Sequence, residues 1–201
     1  MKRTGAKVKI SRQLGIAITP KAARILEKRP NPPGQHGENA GSRRKISEYK
    51  KQLLEKQKLR AQYFVTERQM RRYYAMAKRA QGDTGRNLIG ILESRLDAVA
   101  LRGGFAPTIY AARQLVTHGH VMLNGRKASI PSMNVKPGSV VTLTESGKKI
   151  PASITSLANV KAPAYLDVDK DKAAVKLLEV PMRDKVPVIC EIGMVVEFYS
   201  R

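Results

Sequence analysis

Between residues 113 and 127 the chain gathers Arg113, Gln114, His118, His120, Asn124, Arg126 and Lys127. Cations neutralise phosphate, while amides and imidazoles bond sugar and base edges, so this set suits a phosphate backbone better than a bond-breaking step. A second set, Arg68, Arg71 and Arg72, recurs at the spacing of one helix face, with Lys78 and Arg79 further along. Between Gln57 and Asn87 the only acids are Glu67 and Asp83. A merely solvated face normally mixes both signs, so phosphate contact is the expectation here too. Lys56 and Arg60 lie one helical turn apart just upstream. Arg3, Lys7, Lys9, Arg12, Lys21, Arg24, Lys28, Arg29, Arg43 and Arg44 are scattered through residues 1–46.

Bond-breaking chemistry finds no support. The sequence holds no GxxxxGK[ST] phosphate loop, no GxSxG elbow and no HExxH pair. His118 and His120 stand two apart with no third ligand in sight, so no metal site is expected, and one of them is assigned to nucleic-acid or turn contact. Asp97 has Arg95 and Arg102 as neighbours and reads as half of a structural ion pair. Asp167, Asp169 and Asp171 alternate as in a calcium loop, but Lys172 and Leu178 stand where that loop needs Gly and Glu. Cys190 is the single cysteine, which excludes an internal disulfide, and its apolar setting reads as a buried structural thiol. The expectation is a protein without cofactor or metal that is not an enzyme.

The elements that must carry these side chains can be read from period and punctuation. Leu96, Val99 and Ala100 recur at helical spacing, and Gly103-Gly104 ends that helix. A helix is expected to run from Gly85 through to Leu101. Thr108 can cap the next helix, which ends near His118-Gly119. Val121–Leu123 is a strand, Asn124-Gly125 a tight turn, and Ser139–Leu143 another strand after Pro137-Gly138. Upstream, Ser47 caps a helix ending near Phe64, and Thr66 with Gln69 fits a capping box. Met70, Tyr73, Tyr74 and Ala77 give the following helix its apolar side; Tyr49, Tyr63, Tyr73 and Tyr74 are assigned to packing. Residues 1–46 lack a sustained period and read as an irregular basic arm, in which Ile10, Leu14, Ile16, Ile18, Ile25 and Leu26 can form a small packed knot. Downstream, Glu145–Lys149 reads as a loop, Ser153–Asn159 as a short helix or irregular piece, and Tyr165–Val168, Ala173–Val180 and Met194–Tyr199 as strands.

The 201 residues carry 38 Lys and Arg against 16 Asp and Glu, a formal charge of +22. That excess points to a polyanion, nucleic acid ahead of an anionic membrane. No apolar run is long enough to span a bilayer, and MKRTGAKVKI has no apolar core of a secretory signal. The charge is uneven: residues 1–93 hold 23 cations against 7 acids, and residues 94–201 hold 15 against 9.

Within residues 94–142, the pattern LD…GF-A-x-T…AARQLV-x-HGHV-x-LNGR…VKPGS resembles the small RNA-binding module shared by ribosomal protein S-four, several pseudouridine synthases and some tRNA synthetases. The resemblance extends further. Pro33-Gly34-Gln35-His36-Gly37, Ser47-Glu48-Tyr49, Gln52-Leu53, Glu55-Lys56-Gln57-Lys58-Leu59-Arg60, Glu67-Arg68-Gln69, Arg71, Tyr73 and Asn87-Leu88 stand in the order and spacing of the bacterial ribosomal protein S-four family. Ile10 and Leu14 stand where many relatives carry zinc-binding cysteines, so the chain resembles the zinc-free form. The family often reads T-R-x-E-A-R where this chain has Thr108-Ile109-Tyr110-Ala111-Ala112-Arg113.

The resemblance implies an α+β fold: a helical lobe with an inserted RNA-binding module of two helices and a small, mostly antiparallel sheet. Residues 1–46 would form the basic arm, 47–93 with 145–201 the helical lobe, and 94–144 the module. It implies a structural constituent of the small ribosomal subunit that binds the 5′ domain of its rRNA, nucleates assembly and influences translational accuracy. It implies proteins of the S-five and S-three types as neighbours, mRNA contact near its channel, no membrane, and a cytoplasmic, ribosome-bound location. Gln35 and His36 would belong to an N-terminal RNA-contacting turn. Lys56, Arg60, Arg68, Arg71 and Arg72 would form a helical RNA face; Arg113, His118 and Asn124 would lie on the module's RNA face. With Arg3, Lys7, Arg43, Arg44, Arg126 and Lys127 they make up the expected RNA-binding set. The competing reading is a free RNA chaperone or translational regulator carrying the same module.

Overall fold

A computed structural model describes residues 5–35, 37 and 46–201. Its elements in chain order are α1 (Lys7–Leu14), α2 (Pro20–Lys28), α3 (Glu48–Gln62), α4 (Glu67–Arg79), α5 (Thr84–Glu93), α6 (Leu96–Arg102), α7 (Ile109–Thr117), β1 (Val121–Leu123), β2 (Arg126–Ala128), β3 (Val140–Leu143), α8 (Glu145–Lys148), α9 (Pro151–Ala158), β4 (Leu166–Asp169), β5 (Ala174–Leu177), a 3-10 turn (Arg183–Lys185) and α10 (Ile192–Ser200). The chain divides into two compact units, residues 1–67 with 188–201, and residues 68–187.

The first unit is helical. The arm that reads as irregular contains α1 and α2, too short for their periods to stand out. Thr19 starts α2 by accepting the Ala22 N–H (3.2 Å), with Pro20 preset at the first helical position. Of the expected apolar knot, Leu14 and Ile16 are buried together with Ala22, while Ile10, Ile18, Ile25 and Leu26 are half-buried. Ser47 caps α3 by accepting the Lys50 N–H. The expected C-terminal strand is instead the helix α10. Its β-branched run favours a strand locally, but Ile192 and Val195 are buried three residues apart as a helix against α3 requires. Tyr49 is 53% exposed rather than packed away, with its ring 5.7 Å from that of Phe198. Cys190 is half-buried.

The second unit builds a five-stranded antiparallel sheet, in the order β2-β1-β3-β5-β4. The strands β4 and β5 thus extend the module's sheet, although they come from residues the sequence reading groups with the helical lobe. Val121, Val141, Leu143, Val175 and Leu177 are buried in the sheet. The edges are short: β2 carries exposed Arg126 and Lys127, and β4 an exposed Asp167. Residues 145–148 form the helical turn α8, capped by the Thr144 hydroxyl on the Gly147 N–H (3.1 Å), where a loop is expected.

The single helix expected from Gly85 to Leu101 is broken at Ser94-Arg95. Arg95 is extended and bridges to Asn134, while the Leu96 and Asp97 N–H groups donate to the Met133 and Pro131 carbonyls. The break buries a network that a straight helix could not close. Arg95, 2% exposed, donates through Nε (2.9 Å) and Nη2 (2.5 Å) to Asp97, which is fully buried, and through Nη1 to the Tyr73 hydroxyl (2.6 Å). Burial works against its charge, yet the Asp97 carboxylate holds the Arg95 guanidinium above its ordinary range. One turn before, the buried Glu93 accepts from Arg102 (2.8 Å) and from the Tyr165 hydroxyl (3.0 Å). Burial, together with the Glu93 charge, pushes the Tyr165 hydroxyl well above its usual range. Asp97 is half of a structural ion pair, as expected, with Arg95; Arg102 serves Glu93 instead. After α6, Gly104 takes φ 80°, and a Cβ there would lie 2.5 Å from that of Val160, so the turn demands glycine twice over.

Candidate nucleic-acid interface

Two surfaces, one on each unit, present the cations. On the second unit α4 is split lengthwise. Met70, Tyr73, Tyr74 and Ala77 are buried at i, i+3, i+4 and i+7, which turns Arg68, Arg71, Arg72, Lys78 and Arg79 outward, and all five are exposed. Arg72 lies 5.5 Å from the Tyr73 ring centre. Long cationic side chains held on a rigid rod suit a phosphate backbone, whose charges they neutralise without needing a base sequence.

On the module, Thr108 caps α7 by accepting the Ala111 N–H (3.2 Å), with no acidic partner one turn on. That cap sets Arg113, half-buried, and Gln114 and His118, both exposed, along α7 and its end. His120 is half-buried and shares a hydrogen bond through Nδ1 with the Ser146 hydroxyl (3.2 Å). Arg126 and Lys127 are exposed on the edge strand β2, and the Lys127 stem lies across Gly119, where a Cβ would come within 2.4 Å of it.

Asn124 has another employment. With φ 49° it begins the hairpin turn that Gly125 (φ 78°) completes, its Oδ1 accepts the Val140 N–H (2.9 Å), and its Nδ2 reaches the Ser139 hydroxyl (3.4 Å). The side chain ties the turn to β3 while staying exposed at the surface. Asn124→Ala is expected to lower stability by ~1–2 kcal/mol, from the left-handed backbone and the lost acceptor. Asn124→Gly should cost clearly less, and urea unfolding of both checks this: equal losses would contradict the backbone share.

On the first unit Lys7, Gln35 and Lys9 are exposed. Lys56 is turned inward, with a side chain 7% exposed, its Nζ 3.2 Å from Glu67 and 4.3 Å from the Phe198 ring centre. Arg60 is half-buried and donates to the same carboxylate (3.0 Å), as does the Tyr199 hydroxyl (2.9 Å). These two cations hold α10 and Glu67 to α3, a use that their helical spacing alone did not show. Arg3, His36, Arg43 and Arg44 lie outside the described residues.

Burial pushes the Glu67 carboxyl up, but the bonds from Tyr199, Arg60 and Lys56 outweigh it and hold the pKa below its ordinary 4.5. A carboxyl with a lowered folded-state pKa stabilises the fold above its unfolded value and loses that contribution as pH falls through the folded one. Stability should therefore drop below about pH 4.5. Urea midpoints at pH 7 and pH 3.5 should differ less in Glu67→Gln than in the parent; an unchanged difference would show that the cluster does not govern the acid limb.

Among the described residues no group of His, Cys, Asp or Glu is placed to hold a metal ion, and no helix is long and apolar enough to cross a membrane.

The second unit thus sets a helix pair with a small antiparallel sheet and carries cations at exposed helix and edge-strand positions. Residues 94–141 match the S4 domain, and residues 2–93 match the Ribosomal protein S4/S9 N-terminal domain. The chain is 48% identical over 200 residues to the small ribosomal subunit protein uS4 of Streptomyces griseus subsp. griseus, covering 97% of each chain. It is 47% identical to that of Micrococcus luteus, covering 99% of this chain and 98% of the relative, and 43% identical to that of Thermobifida fusca over the whole of both. The chain belongs to the bacterial ribosomal protein S4 family.

Proposed function

We propose that the chain is a structural constituent of the small ribosomal subunit that binds rRNA and works by surface fit and phosphate neutralisation rather than catalysis. The observation that carries this is the split of α4: five outward cations backed by a fully packed opposite face. Similarity to proteins called small ribosomal subunit protein uS4 over nearly the whole chain supports the same reading.

In its finer form the protein binds the 5′ domain of small-subunit rRNA, nucleates assembly and contributes to translational accuracy in the cytoplasm. Its neighbours are proteins of the S-five and S-three types, with mRNA close by. The contact set comprises Arg68, Arg71 and Arg72 on α4, and Arg113, His118, Arg126 and Lys127 in the module spanning 94–144. Arg3, Lys7, Gln35, His36, Arg43 and Arg44 in the N-terminal arm complete it. Asn124, exposed at the hairpin turn, belongs to the same set, while Lys56 and Arg60 support the surface by holding α10 and Glu67 to α3.

A sucrose gradient of cell extract, washed at high salt, tests the role. Retention on the small-subunit peak is the expected result. A peak at the top of the gradient would favour a free RNA chaperone or translational regulator.

A further inference from the structure

The surface cations account for affinity without regard to sequence. The second unit also holds a recess of different character. A cavity of about 210 Å³ opens between α7 and the start of α9, walled by Phe105, Leu115 and Ile150. Gln114, His118 and Ser153 also line it. Ser153 is 2% exposed, and its hydroxyl has no hydrogen-bond partner among the described residues. It is the third residue of α9, whose first turn leaves N–H groups without intrahelical acceptors and carries the positive end of the helix dipole. The Ala152 N–H beside it has no partner among the described residues either. The cavity therefore has Ala152 and Ser153 at one wall, apolar contact on the others, and an amide and the two imidazoles of His118 and His120, able to donate or accept, in its lining.

We propose that this cavity receives one unstacked nucleobase of the bound RNA, seated with a ring carbonyl oxygen on the Ser153 hydroxyl and the Ala152 N–H. The proposal rests on the rRNA-binding reading above and adds where that RNA is read. A flat neutral heterocycle gains from Phe105, Leu115 and Ile150, and its polar edge finds partners in Gln114 and His118. A phosphate in the same place would lose its water against those apolar walls, at a cost a neutral ring does not meet. The volume, roughly that of seven liquid waters, fits one ring system and no more.

The test measures binding of the full chain to a small-subunit rRNA transcript over a series of salt concentrations, for the parent, Ala111→Phe, which fills the cavity from α7, and Ser153→Ala. Ala111→Phe should weaken binding by about 5- to 100-fold, the range expected for losing one seated base. Ser153→Ala should weaken it by about 2- to 10-fold, as for one hydrogen bond. In both, the slope of log K against log salt should stay that of the parent, because no phosphate contact is lost. Unchanged affinity in both variants overturns the proposal. So does a loss accompanied by a slope shallower by about 0.7–0.9, which would put a phosphate in the cavity. If Ala111→Phe does not fold, as judged by its thermal transition, Ser153→Ala decides alone by the same criteria. A parent that fails to bind the transcript would instead overturn the rRNA-binding reading itself, and the proposal with it.

Discussion

Replacing Arg95 by Met should destabilise the second unit by about 3–5 kcal/mol, the scale seen when one partner of a buried ion pair is removed. The Asp97 carboxylate would remain fully buried, with both oxygens facing where the guanidinium was, and the Tyr73 hydroxyl would lose its donor. Arg113 also draws on Asp97 electrostatically, but more weakly than the hydrogen bonds and charge of Arg95. The remaining charge therefore stays poorly compensated. The pair itself need not be the most stable solution. The double variant Arg95→Met with Asp97→Leu should recover most of the loss, since matched apolar groups avoid stranding a charge. Urea unfolding of the parent, both single variants and the double variant gives the answer. A single-variant loss below about 1 kcal/mol would show that water reaches Asp97 and that the network is not buried in solution.

Arg68→Ala, Arg71→Ala and Arg72→Ala combined should leave folding nearly intact and weaken rRNA binding strongly. All three side chains are exposed, so the fold loses little, and Met70, Tyr73 and Tyr74 still anchor α4. If each contacts one phosphate, the salt slope should flatten by about 2–3, at 0.7–0.9 per contact. By the same relation, parent and variant should converge as salt rises. Titrations at several salt concentrations, with thermal unfolding run alongside, provide the check. An unchanged slope would remove α4 from the interface whatever happened to affinity. Lys56→Ala offers the opposite signature: its buried ammonium lies against Glu67 and Phe198, so stability should fall first.

What could be read ahead of the structure follows physical range. The faces of α4, the Thr108 cap and the Asn124-Gly125 turn depend on residues within one or two turns of each other, and the sequence shows them directly. The break at Ser94-Arg95 depends on residues 131–135, far along the chain, so the apolar period from Gly85 to Leu101 passes over it. The helix α10 reads as a strand because Val195 and Val196 favour one locally, while packing on α3 decides otherwise. Among the candidate contacts, Lys56 and Asn124 carry the right chemistry and are placed by distant partners, Glu67 and Val140, that spacing does not reveal. The cavity beside α7 has no signature in spacing at all, since its walls come from three separated segments.

A chain made faster than its RNA must wait in solution, and the two ends of the sheet bear on how it waits. An unpaired strand is a template on which another copy can add itself, and long flat apolar edges grow into aggregates. Here β2 offers three residues and β4 four, the first guarded by Arg126 and Lys127 and the second by Asp167. A second copy meeting β2 edge to edge would set like charges against each other before many backbone bonds could form. The arginine and lysine proposed above to meet RNA would thus also oppose edge-to-edge pairing of two copies.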